Sequence, residues 1–183
     1  IRTLLAHQIA RPEVKGLGQT CPALTVDALF ERAWQRYQHH YLQINGQFAD
    51  VYPGVLTALQ AFSAQGLPMA CLTNKPLSFA EALLKEKSLD RFFVHVFGGD
   101  SFERKKPDPL PIRKTCEALG TETGKTLMVG DSSNDAQAAH AAGCPVVLVT
   151  YGYNHGQPVQ NTPAAAWLDS LAQLPDCLRT AAP

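Results

Sequence analysis

Four apolar runs of strand length punctuate the chain: LPMACLT (67–73), FFVHVFG (92–98), LMVG (127–130) and PVVLVT (145–150). Each ends in small or polar residues, and the first three lead into stretches with helical spacing. A strand that is apolar along its whole length must be buried on both faces, and strands alternating with helices build a parallel sheet between helical layers. The pattern therefore predicts an α/β fold with a Rossmann-like parallel sheet. Helices are expected over 55–65, opened by Pro53 and Gly54 and stopped by Gly66, and over 77–87, 107–119 and 135–142. A closing helix is expected over 167–178. Ligands of such sheets bind outside the carboxyl ends of the strands, so the strand exits are where chemistry is to be sought.

Residues 1–48 contain no strand-like run. Within LTVDALFERAWQRYQHHYLQI (24–44), Leu29, Ala33, Tyr37, Tyr41 and Ile44 recur at steps of three and four, which is one face of an amphipathic helix. Thr25 is its expected N-cap. The breaker-rich KGLGQTCP (15–22) separates it from a first helix at 3–10. The chain thus divides into a helical part, 1–48, and an α/β core, 49–183. His39 and His40 are expected to point different ways and not to share a metal.

Charge narrows the partners. Lys and Arg number 16, as do Asp and Glu, so no global field draws nucleic acid or an anionic membrane, and any anion site must be local. The five cysteines are scattered and form no CxxC pair, which fits reduced, packed thiols in a cytoplasmic protein. No apolar run approaches the ~18 residues of a membrane span, and no secretory leader is read at the N-terminus.

The strand exits carry a recurring chemistry. Thr73, Asn74 and Lys75 follow the first run. Gly98, Gly99 and Asp100 follow the second and precede RKKPDP (104–109), where Pro107 restricts the direction of Lys106. Gly130 and Asp131 follow the third, with Asp135 four residues on. A hydroxyl and backbone N–H groups at a helix start suit a phosphate, and an ammonium adds a point charge for the same anion. Two acids at that mouth would repel a phosphate unless a cation lay between, and oxygen donors without a Cys or His cluster favour Mg²⁺. Thr73, Asn74 and Lys106 are the candidate phosphate-binding residues. Asp131 and Asp135 are the candidate metal carboxylates. Asp100 reads as a turn residue, and His155, in YGYNHG (151–156), as loop structure.

CLTNKP, KKPDP and VGDSSND, in that order, resemble the haloacid dehalogenase superfamily of phosphohydrolases, and the resemblance covers about residues 50–178. It implies a Mg²⁺-dependent phosphomonoester hydrolase acting on a small phosphorylated metabolite through an aspartyl-phosphate. By the same resemblance, Thr73 hydrogen-bonds a phosphoryl oxygen and Lys106 balances charge on nucleophile and phosphate. Asp131 binds Mg²⁺, and Asp135 supports the metal site and Lys106. The family's nucleophile motif, Asp-x-Asp at the end of the first strand, occurs nowhere in the 183 residues. The resemblance then implies a core whose first, central strand is missing, a partial helical cap at 1–48, and a chain that is the C-terminal part of a longer enzyme. Two alternatives stand beside the phosphatase. One is a phosphotransferase or dehalogenase on the same fold. The other is a non-catalytic relic that binds phosphate or a partner.

Overall fold

The computed structural model describes His7 and residues 26–180. The expected helix at 3–10 (His7 apart), the breaker stretch 15–22 and the Thr25 cap lie outside the described residues. Contacts divide the chain into two compact units, Ile1–Phe48 and Ala49–Pro183. In the first unit, α1 (Val26–Ile44) half-buries Leu29, Ala33, Tyr37 and Tyr41 as the spacing predicts, while Ile44, at the helix end, is 49% exposed. Trp34, Tyr37 and Tyr41 form a ladder of rings with centroids 5.5 and 5.6 Å apart. His39 and His40 do not diverge: their ring centroids are 5.4 Å apart, and both rings meet Gln43. A three-carbon amide side chain at i+3 and i+4 reaches both.

The second unit runs α2 (Val55–Ala64), β1 (Ala70–Leu72), α3 (Leu77–Glu86), β2 (His95–Phe97), α4 (Leu110–Ala118), β3 (Met128–Gly130), α5 (Ser133–Ala142), β4 (Val146–Val149), β5 (Ala166–Leu168) and α6 (Leu174–Thr180). All strand pairs are parallel. β1 pairs with β2, and β3–β4–β5 form a separate ladder in which Val147 faces both Val129 and Ala166. Among the described residues β1 and β3 are therefore each paired along one edge only. Strand β4 is buried throughout and alternates between two cores. Val146 and Leu148 pack with Ile112, Ala139 and Leu72 on the α4–α5 side, whereas Val147 packs with Ala58, Phe62 and Leu174 on the α2–α6 side. This is the expected layering of helices on both sheet faces.

Element ends differ from expectation where side chains intervene. Helix α4 starts at Leu110, not 107: Pro109 is its N-cap, and Asp108 before it accepts the Leu110 N–H at 2.9 Å in a turn that precedes the helix. Helix α5 starts at Ser133, two residues early. Ser132 is extended at the N-cap, and Asp135, in the first turn, reaches back to the Ser132 N–H. Asp90–Phe92 form a 3₁₀ turn before β2, which shortens that strand at its start. The expected closing helix 167–178 is corrected. Ala166–Leu168 is a strand on β4, with Trp167 outward and Leu168 buried. The helix begins at Leu174, after Ser170 and Gln173 cap a 3₁₀ turn. Trp167, Leu168, Leu171 and Leu174 keep helical steps, but backbone pairing with β4 overrides the spacing. No helix among the described residues is long and apolar enough to cross a membrane.

Candidate active site

The exits of β1, β2, β3 and β4 are tied into one hydrogen-bonded network. At the β1 exit, the Thr73 N–H continues the ladder to the Phe97 carbonyl at 2.9 Å, and Thr73 Oγ1 accepts the Lys75 N–H at 3.1 Å. The hydroxyl proton is thereby turned away from its own loop. Asn74 Nδ2 donates to the Lys106 carbonyl at 2.8 Å and fixes the following loop.

The β2 exit lies against this turn. A Cβ on Gly99 would stand 2.3 Å from the Asn74 carbonyl oxygen, so only glycine lets the two loops close. Asp100, expected to be a turn residue, accepts the Leu77 N–H at 2.8 Å and caps α3 from across the sheet. That N–H of the helix start, expected to face a phosphate, is thus already occupied. The sequence gives no sign of this cap, because 23 positions separate donor and acceptor.

Lys106 is 7% exposed, whereas Lys105 beside it faces solvent. The Lys106–Pro107 peptide is cis. The Lys106 ammonium donates to the Leu72 carbonyl at 2.7 Å and pairs with Asp135 Oδ1 at 2.8 Å, joining the β1 exit to the first turn of α5. An ammonium has three protons, so one remains for a ligand. Asp135 Oδ2 accepts from Ser132 Oγ at 2.7 Å and from the Asp131 and Ser132 N–H groups, each at 3.1 Å. Both Asp135 oxygens are thus committed within the protein. Burial alone would raise its pKa, but the Lys106 charge and these donors hold the carboxyl below its usual range.

Asp131 is the opposite case. Burial outweighs the hydrogen bond from the Tyr153 N–H (2.9 Å to Oδ2), and nearby Asp135 adds to it, so the Asp131 carboxyl is pushed up. The Tyr151–Tyr153 backbone closes over it, since a Cβ on Gly152 would lie 2.1 Å from the Asp131 Cβ. Asp131, Gly130 and Gly152 border a cleft of about 290 Å³ whose other walls are apolar or aromatic and include Val129, Tyr52 and Tyr151. His155, in the same loop, meets Asn134 Nδ2 at 3.3 Å.

The donors gathered here are oxygens, as a hard cation requires. Among the described residues no three His, Cys, Asp or Glu side chains converge to complete a metal cage. Thr73, Asn74, Lys106, Asp131 and Asp135 thus occupy one continuous network, in which Lys106 pairs directly with Asp135 and acts on Asp131 only through its charge.

The profile of the haloacid dehalogenase-like hydrolases matches residues 9–149. A phosphoglycolate phosphatase of Thiobacillus denitrificans is 42% identical over 173 residues, 94% of this chain and 76% of that protein. A phosphoglycolate phosphatase of Pseudomonas syringae is 42% identical over 153 residues, 83% of this chain but 56% of its own length, so the chain spans little over half of that relative. A structure reported as a predicted phosphoglycolate phosphatase from Haemophilus somnus superimposes with a TM-score of 0.78 at 33% identity, covering 82% of this chain and 67% of that one.

Proposed function

The chain belongs to the haloacid dehalogenase-like hydrolase family, and from that premise we propose that it carries most of the active site of a Mg²⁺-dependent phosphatase whose substrate is 2-phosphoglycolate. The observation that carries the reading is the buried Lys106 bridging Leu72 and Asp135 beside Asp131, which borders the cleft and makes no direct ion pair among the described residues. The substrate follows the names of the relatives at 42% identity. The helical unit 1–48 is proposed as the partial cap.

Thr73 Oγ1 already accepts an N–H, and its proton is offered to a phosphoryl oxygen, with Asn74 holding the loop beside it. The third proton of Lys106 meets the phosphate and the attacking carboxylate. Asp131 would hold Mg²⁺, which supplies positive charge to orient and neutralise the phosphate. Asp135, its oxygens committed, supports this site by fixing the Asp131 backbone and the Lys106 head. Attack on phosphorus requires the Asp-x-Asp carboxylates, which this sequence lacks. They are assigned to an upstream strand that pairs between the free edges of β1 and β3.

The test is phosphate release from 2-phosphoglycolate and a panel of small phosphate esters by the upstream-extended protein. Asp131→Ala should lower Mg²⁺-dependent turnover by about 10²–10³-fold or more, the scale of losing charge stabilisation in a transition state. Retained turnover with an unchanged Mg²⁺ requirement would remove Asp131 from the metal site. A preference for another ester would replace the substrate and leave the reaction class standing.

A further inference from the structure

Asn154 is 8% exposed, in a loop otherwise open to solvent, and both ends of its amide are used. Its Oδ1 accepts the Ser133 N–H, in the first turn of α5, at 2.8 Å. Its Nδ2 donates to the Gln157 carbonyl at 3.2 Å, and its own carbonyl accepts the Gln157 N–H at 2.8 Å. The adjacent Tyr153 N–H is the donor to Asp131 Oδ2, and the Gly152 backbone lies against the same side chain. Asn154 therefore anchors to α5 the loop whose backbone fixes Asp131. A neutral amide suits the place: an Asp would face the Gln157 carbonyl with a lone pair and set a third carboxylate beside Asp131 and Asp135.

We propose that Asn154 is a positioning residue that sets the direction of the Asp131 carboxylate, and through it the cation affinity of the site. The proposal rests on the reading of Asp131 as the metal carboxylate. Partners that orient a metal ligand are worth about 10–100-fold in affinity.

Mg²⁺ is titrated calorimetrically into the wild-type protein extended upstream through the Asp-x-Asp strand, and into its Asn154→Ala and Asn134→Ala variants, at a temperature where melts show all three folded. The Tyr153 amide proton is followed by NMR without metal. Asn154→Ala should weaken Mg²⁺ binding at least tenfold and move the Tyr153 amide away from its hydrogen-bonded position. Asn134→Ala, which removes the contact from α5 to the loop's His155, should stay within twofold. Equal Mg²⁺ affinity in wild type and Asn154→Ala overturns the proposal, since a purely structural asparagine would change the melt alone. If wild type binds no Mg²⁺, the metal reading fails and takes the affinity claim with it. The amide then decides the rest: an unmoved Tyr153 signal in Asn154→Ala overturns the anchoring role, and a displaced one upholds it.

Discussion

Lys106 and Lys105 are neighbours of the same type with opposite fates. The Lys106 side chain is 8% exposed and paired with Asp135, itself 7% exposed, so removing one partner strands a buried charge. Lys106→Ala should cost about 3–5 kcal/mol of stability, and Lys105→Ala no more than about 0.5 kcal/mol, measured by urea unfolding. Equal losses would contradict a unique role for Lys106. The two acids also give opposite responses to pH. Asp135, held below its unfolded value, contributes stability that is complete above about pH 3.9 and is lost as the pH falls through its folded value. Asp131, pushed above its unfolded value, contributes in the other sense: its share is complete below that value and is lost as pH rises through the folded one. Between pH 5 and 3, then, Asp135→Asn should flatten the acid loss of stability and Asp131→Asn should steepen it. Unfolding midpoints at each pH read the slopes, and identical slopes in the two variants would refute the opposed shifts. Thr73, Asn74, Asp131 and Asp135 were legible as candidates in the sequence because they follow closely on the ends of β1 and β3, and Lys106, well past the end of β2, because Pro107 follows it. Asn154 and Asp100 were not, since a side-chain acceptor for a distant N–H leaves no local pattern.

At the scale of elements, caps decide more than propensity. Helix α3 has no side-chain cap of its own at Pro76, and Asp100 supplies the acceptor from the β2 exit. Asp100→Ala should cost about 1 kcal/mol, and Asp100→Asn, which keeps the oxygen, much less. A shift in urea midpoint that is the same for both would deny the cap. The existence of β1 through β4 was legible because continuous apolar runs announce doubly covered strands. β5 was not: three residues at a sheet edge, A-W-L, carry too short a pattern to compete with the helical spacing that surrounds them. What makes them a strand is the ladder β4 offers, a partner the local sequence does not describe.

For the whole molecule, β1 and β3 each have a single strand partner among the described residues, which leaves an edge of backbone groups that a sheet interior would satisfy. Adding an upstream segment that contains a strand ending in Asp-x-Asp should raise the melting temperature and restore phosphate release together. Substituting its first aspartate by Asn should keep the higher melt and abolish turnover, because an amide cannot form the acyl-phosphate. Metal-dependent hydrolysis by residues 1–183 alone, free of contaminating phosphatase, would overturn the assignment of the nucleophile to that strand. The sequence by itself determined the layered parallel sheet, the end of it at which the chemistry gathers, and the residue types that suit phosphate and a hard cation. These are properties of periodicity and of strand termini, which are local. Only the tertiary structure decided which carboxylate pairs directly with Lys106, that the α3 start is already capped, and that Asn154 ties the loop beside Asp131 to α5. Those outcomes depend on distances between groups 21 to 34 positions apart along the chain, and such distances are set by packing rather than by any stretch of sequence.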